Sequence, residues 1–185
     1  MNYYLLDTNV FFDILEAISN GTPDAKFDAI MGGKCYISEL TRIEIISVLG
    51  KHARGCAKQW QPCTRIINEA GDVCGAQFLV PEKKRWKKRT VGEWRKLIKD
   101  ITEGNSTVFS VEVLPVTDAV CKIAGQFVGN ALQYNFGSLD AMITATAMEH
   151  RRRTNEDLMI VTYDKKLLAA IRAEGTIPYK NPNAA

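Results

Sequence analysis

Two short uncharged runs near opposite ends of the chain each lead into an aspartate. Tyr3-Tyr4-Leu5-Leu6 precedes Asp7, and Leu158-Met159-Ile160-Val161-Thr162 is followed one residue later by Asp164. Apolar runs this short fit strands buried on both faces of a parallel sheet. Parallel strands need crossover connections, so the chain is constrained to alternate β and α, and both aspartates fall at the carboxyl ends of strands. In open α/β sheets ligands bind on that side. Asp7 also stands before a helix with Val10, Phe11, Ile14 and Leu15 on its inner side, for which Thr8 or Asn9 is the expected cap. An aspartate at a strand-to-helix turn has two readings, part of the cap or a working carboxylate. The other acids decide between them.

The chain continues with a turn over Ser19 to Asp24, a short helix over Lys26 to Met31 ending at Gly32-Gly33, and a strand over Lys34 to Ile37. Ser38 caps a helix running to about Lys51, with Glu39 in its first turn. Within it Leu40, Glu44 and Val48 stack at a spacing of four, flanked by Ile43 and Leu49, so Glu44 emerges beside an apolar face. A carboxylate there calls for a cationic partner, a raised pKa or a metal ion. Further on, Val111 to Val116 reads as a strand, and Thr117 caps a helix with Val120, Ala124, Phe127, Val128 and Ala131 inside. Asp118 in its first turn is structural. Ser138 caps the next helix and places Asp140 at its second position, among small residues that suit close packing at the centre of the fold. Arg151-Arg152-Arg153 ends that helix favourably for its dipole. Lys165 to Ala173 forms a short helix stopped by Gly175, and Thr176-Ile177-Pro178 adds an edge strand before a polar tail.

The stretch from about 52 to 111 departs from this alternation. Cys56, Trp60, Cys63, Ile67, Ala70 and Cys74 fall at helical spacings, with Pro62 as a break, so the segment reads as a helical insertion. The cysteine gaps match no zinc pattern, and the five cysteines, odd in number and without a C-x-x-C pair, fit reduced thiols. Thr90-Val91-Gly92-Glu93 reads as a capping box opening a helix whose stripe is Val91, Trp94, Leu97, Ile98 and Ile101. The net charge of +3 is concentrated here: nine basic against three acidic residues lie between Glu82 and Asp100. Lys84, Arg85, Trp86, Lys87, Lys88 and Arg89 are therefore candidate nucleic-acid contacts, the cations for phosphates and Trp86 for stacking on a base. With 185 residues, ordinary charge content, no signal-like start and no membrane-length apolar run, the chain is expected to be one cytoplasmic domain with a basic insertion.

Asp7, Glu44, Asp140 and Asp164 together make a candidate four-carboxylate pocket at the strand ends. Like charges so placed need a positive centre, and an oxygen-only donor set suits Mg2+ or Mn2+. The matching chemistry is phosphodiester hydrolysis. A phosphatase using Asp7 as nucleophile lacks its usual second aspartate, since Asn9 stands there.

At these residues the chain resembles a known family. Leu5-Leu6-Asp7-Thr8-Asn9, Ser38-Glu39-Leu40-Thr41-Arg42-Ile43-Glu44, Leu139-Asp140-Ala141-Met142-Ile143-Thr144-Ala145-Thr146-Ala147 and Val161-Thr162-Tyr163-Asp164 resemble the four blocks of PIN-domain ribonucleases, and among these the VapC-like toxins of toxin–antitoxin pairs. The resemblance implies a three-layer α/β/α sandwich around a mainly parallel, Rossmann-like sheet. It implies metal-binding, catalytic roles for Asp7, Glu44, Asp140 and Asp164, with Asn9 and Thr162 supporting them through hydrogen bonds. It also implies an RNA substrate, a homodimer and an antitoxin partner. The same acids would serve an enzyme of RNA maturation or DNA flap cleavage. An inactive RNA-binding module would be marked by the loss of one acid, and all four are present.

Overall fold

The computed structural model describes residues 1–22, 24–54, 58–81, 85–175 and 177–183, with backbone alone at 58–60 and 78–81. In order the elements are β1 (Tyr3–Leu6), α1 (Thr8–Asn20), α2 (Ala25–Met31), β2 (Lys34–Ser38), α3 (Glu39–Arg54), β3 (Lys58–Pro62), β4 (Gln77–Pro81), α4 (Lys88–Thr102), β5 (Glu112–Leu114), α5 (Asp118–Phe127), α6 (Ala131–Tyr134), α7 (Ser138–Thr154), β6 (Leu158–Val161), α8 (Lys165–Glu174) and β7 (Tyr179–Lys180). The chain forms two compact units, Met1–Ile45 with Lys96–Ala185, and Ile46–Arg95.

The first unit is an α/β fold around a five-stranded sheet of order β5-β2-β1-β6-β7, every pair parallel. From β1 the connections run outward through β2 to β5, and then the chain returns past β1 to β6. The reversal makes the gap between β1 and β6 the switch point of the sheet, where a crevice opens at the strand ends. Strand register fixes what borders it: Leu6 pairs with Val161, and the Asp7 N–H donates to the Val161 carbonyl at 3.0 Å. β1 is buried because both its faces are covered. Leu5, Tyr36 and Ile160 share one core cluster with Ala141, Ile143 and Ala147 of α7 and Leu167, Ala170 and Ile171 of α8. The small residues of α7 let it pack closely, and Ala145 meets Val120 and Ala124 of α5.

Local signals set most boundaries. Thr117 caps α5 by accepting from the Val120 N–H, Ser38 Oγ accepts from the Leu40 N–H, and Gly21 and Gly175 end α1 and α8 at φ +62° and +68°. Three boundaries shift. Asp7, rather than Thr8 or Asn9, caps α1, and Gly137 occupies the cap position of α7, which puts Asp140 at its third residue. The edge strand is Tyr179–Lys180, immediately after the stretch expected, because the Pro178 carbonyl accepts from Ile160 and so sets the register; Thr176 lies outside the described residues. The capping box at Thr90 is absent, since α4 already begins at Lys88 and Glu93 pairs with Arg89. On α3 the buried line is Thr41, Ile45 and Leu49, and Ile43 is 59% exposed.

The second unit corrects the helical reading of Cys56 to Cys74. Lys58–Pro62 and Gln77–Pro81 pair antiparallel, and the ladder continues to a bridge between Ile66 and Val73. Asn68 closes the turn by bonding both the side chain and the backbone N–H of Asp72, and Gly71 supplies φ +85°. The helical spacing misled because its residues form no buried stripe: Ile67 and Ala70 are exposed and Cys63 and Cys74 only half-buried. Cys56 lies outside the described residues. Among the described residues no helix is long and apolar enough to cross a membrane.

Gly33, before β2, would place a Cβ 2.8 Å from the Asn2 carbonyl oxygen and 2.7 Å from the Tyr4 ring, whereas one at Gly125 on α5 would meet nothing within 4 Å. Urea denaturation should show Gly33→Ala destabilised by ~1–3 kcal/mol, with Gly125→Ala stabilised by up to ~1 kcal/mol.

Candidate functional site

Each acid arrives at the crevice by a different piece of local structure. Asp7 follows β1 and is 6% exposed; its Oδ1 accepts from the Thr8 N–H at 2.7 Å and its Oδ2 from the Thr162 hydroxyl at 2.9 Å. Thr162 in turn accepts from the Asp164 N–H at 3.0 Å, and Asp164 Oδ1 caps α8 by accepting from the N–H groups of Lys166 and Leu167 at 2.7 and 3.1 Å. Asp140 Oδ2 accepts from the Gly137 N–H at 2.8 Å across the first turn of α7. Glu44, half-buried on α3, accepts a 2.5 Å hydrogen bond from the Thr8 hydroxyl.

The charges of these four residues act on one another. Burial pushes the Asp7 carboxyl up from 3.8 to about 6; its bonds from Thr162 and Thr8 oppose the shift, and the charges of Asp140 and Glu44 add to it. Asp140 is also raised, first by burial, then by Asp164 and Glu44, against the pull of the Gly137 N–H. Among the described residues none of the four has a Lys, Arg or His partner. An acidic group with a buried member and no counter-charge is the donor set a hard cation fits. As they stand, no three His, Cys, Asp or Glu side chains among the described residues converge tightly enough to hold an ion. Glu44, Asp140 and Asp164 are each half-buried. A separate cleft of about 300 Å³, lined in part by Thr146, Glu149, His150 and Arg153, contains none of the four.

The remaining candidate residues are placed unevenly. Asn9 is exposed and makes no side-chain hydrogen bond among the described residues, while Thr8, read from the sequence only as a helix cap, contacts both Asp7 and Glu44. Its adjacency to Asp7 was the one available signal; the link to Glu44 depends on the fold. Arg85, Lys87, Lys88 and Arg89 are exposed in the second unit, and Lys84 lies outside the described residues. Trp86 is only half-exposed, with its ring stacked on His52 at 4.3 Å and tilted against Trp94 at 5.0 Å. Those internal contacts occupy surface that stacking on a base would use.

Comparison with known proteins fits this geometry. The family model of the PIN domain matches residues 4–173. Similar solved structures include DNA-bound VapBC from Salmonella typhimurium (16% identity, 98% of this chain and 99% of that chain, TM-score 0.54). VapBC-1 from nontypeable Haemophilus influenzae gives 16% identity, 98% and 99% coverage and a TM-score of 0.55. FitAcB from Neisseria gonorrhoeae gives 17% identity, 97% coverage of both chains and a TM-score of 0.52. At such identities the likeness is one of fold. No curated protein matches the sequence. The family match runs from β1 into α8 and takes in all four acids at the switch point, so the chain belongs to the PIN domain family, a family of nucleases.

Proposed function

We propose that this protein is a divalent-metal-dependent endoribonuclease, a VapC-type toxin that works opposite an antitoxin protein. The observation that carries the reading is the set of four carboxylates around the switch point, Asp7, Glu44, Asp140 and Asp164, with no basic partner among the described residues. The choice of RNA rests on the resemblance to PIN-domain ribonucleases. The antitoxin is supported by structural neighbours that are VapBC assemblies, and a homodimer is part of the same reading.

Mg2+ or Mn2+ held by the four acids would orient and acidify a water, polarise the scissile phosphate and stabilise the leaving 3′ oxygen. The chain's own part is to hold the ligands ready. Asp7 has both oxygens fixed by Thr8 and Thr162, Asp140 has Oδ2 fixed by Gly137, and Asp164 has Oδ1 fixed by two amides of α8. Asp140 Oδ1, Asp164 Oδ2 and Glu44 Oε1 have no hydrogen bond among the described residues, which leaves them available as ligands. Arg85, Lys87, Lys88 and Arg89 are the proposed contacts to RNA phosphates.

The first test is cleavage of a mixed RNA pool by the purified protein. Cutting should require Mg2+ or Mn2+, stop with EDTA, and fall at least ~100-fold in Asp7→Asn and Asp140→Asn variants that remain folded. A folded wild type that binds RNA and cuts none with either metal would sink the nuclease reading.

Stability should follow the Asp7 carboxyl. It ionises at about 6 in the folded protein against 3.8 ordinarily, so the folded state holds its proton longer. Its contribution is complete below about pH 4 and is lost as pH rises to about 6. Without metal at pH 7.5, Asp7→Asn should therefore be more stable than wild type by ~1–3 kcal/mol in urea. Mg2+ should raise the wild-type melting temperature at pH 7.5, do so much less at pH 5, and leave Asp7→Asn nearly unmoved. A less stable variant would show that burial of Asp7 costs the fold little.

A further inference from the structure

We infer that Thr8 is a positioning residue for the acidic centre: its hydroxyl fixes the Glu44 carboxylate beside Asp7, so that α3 presents its acid in a set orientation. The inference rests on the reading of the four acids as a cation site and adds an uncharged side chain to it.

Thr8 is 5% exposed at the start of α1. Its backbone N–H bonds Asp7 Oδ1 and its hydroxyl bonds Glu44 Oε2, so one residue reaches two acids from different elements. A threonine near a helix start commonly keeps its hydroxyl on nearby backbone. Here the hydroxyl is committed across the fold, to a residue 36 positions away. Glu44 needs such a hold, because it lies on the half-exposed side of α3 with neither an ion pair nor another hydrogen bond among the described residues. On the far side of Asp7 the pattern repeats, with the Thr162 hydroxyl donating to Asp7 and accepting from the Asp164 N–H. The result is a continuous chain of hydrogen bonds, Glu44–Thr8–Asp7–Thr162–Asp164, with Asp140 outside it.

The chemistry of the donor matters as much as its place. A lysine at this point would order Glu44 equally well, and it would also cancel the negative charge that attracts a cation. A hydroxyl orders the carboxylate and leaves its charge in place. Thr8 therefore fixes geometry at no cost to electrostatic attraction, as residues behind metal ligands commonly do.

The test is Mn2+ binding to the purified full chain, followed by electron paramagnetic resonance of the free ion and by calorimetry. Thr8→Val keeps the branched shape and the backbone N–H and removes only the hydroxyl; it should weaken Mn2+ binding ~10-fold. Thr8→Ser should stay within about twofold of wild type, and Thr8→Ala should match Thr8→Val. In a Glu44→Ala background the further change Thr8→Val should alter affinity by less than about twofold, because its target is gone. Circular dichroism melts establish that each variant is folded. Unchanged affinity in Thr8→Val, or an equal loss with and without Glu44, overturns the inference. A wild type that binds Mn2+ and cuts no RNA removes the nuclease reading while the affinities still decide the role of Thr8. A wild type that binds no Mn2+ overturns both.

Discussion

The desolvated carboxylate of Asp7 is the constraint from which the rest of the site follows. A charge taken out of water costs several kcal/mol unless something compensates it, and Asp7 has the added repulsion of Asp140 and Glu44. What compensates it in the chain itself is hydrogen bonding: its side chain accepts from Thr8 and Thr162, and its own N–H is tied to Val161. These bonds hold the carboxylate still without neutralising it. The sheet makes that possible, because β1 and β6 pair in register and bring Asp7 and Thr162 to the same height at the switch point.

Helix starts are the common device behind the other positions. Asp7 caps α1, Asp164 caps α8, and Asp140 reaches back to the N–H before α7, so three of the four acids face the exposed amides of a helix N-terminus. The positive end of each helix dipole eases the repulsion among them. Glu44 is the exception. It sits well inside α3, away from any free amide, and a hydroxyl from α1 takes over the task. The same centre is thus assembled by two methods, backbone amides for the aspartates and a side chain for the glutamate.

Much of this was legible in the chain before any coordinates. Short apolar runs ending in Asp7 and Asp164 gave the parallel sheet, and Thr117, Ser38 and Gly175 gave element boundaries, because these signals act over a few residues. Thr8 was legible only as a cap, since nothing local indicates that its hydroxyl crosses to Glu44. The hairpin of β3 and β4 was missed for a different reason. Cys63, Ile67, Ala70 and Cys74 at spacings of three and four imitate a helical stripe, and periodicity loses its meaning where the residues stay exposed, as Ile67 and Ala70 do. Trp86 looked like a free aromatic within a basic run, and its partners His52 and Trp94 lie on two different helices.

The pairing of β1 with β6 has a consequence for the order of folding. Tyr3 to Leu6 pair with Leu158 to Val161, more than 150 positions away, and the hydroxyl that steadies Asp7 is equally distant. Contacts so distant form late, after the loop between them has been closed. Until β6 docks, Asp7 lacks the Thr162 hydroxyl that steadies it. The acidic centre is therefore complete only once that distant pairing has formed, and its geometry depends on the slowest kind of contact in the fold.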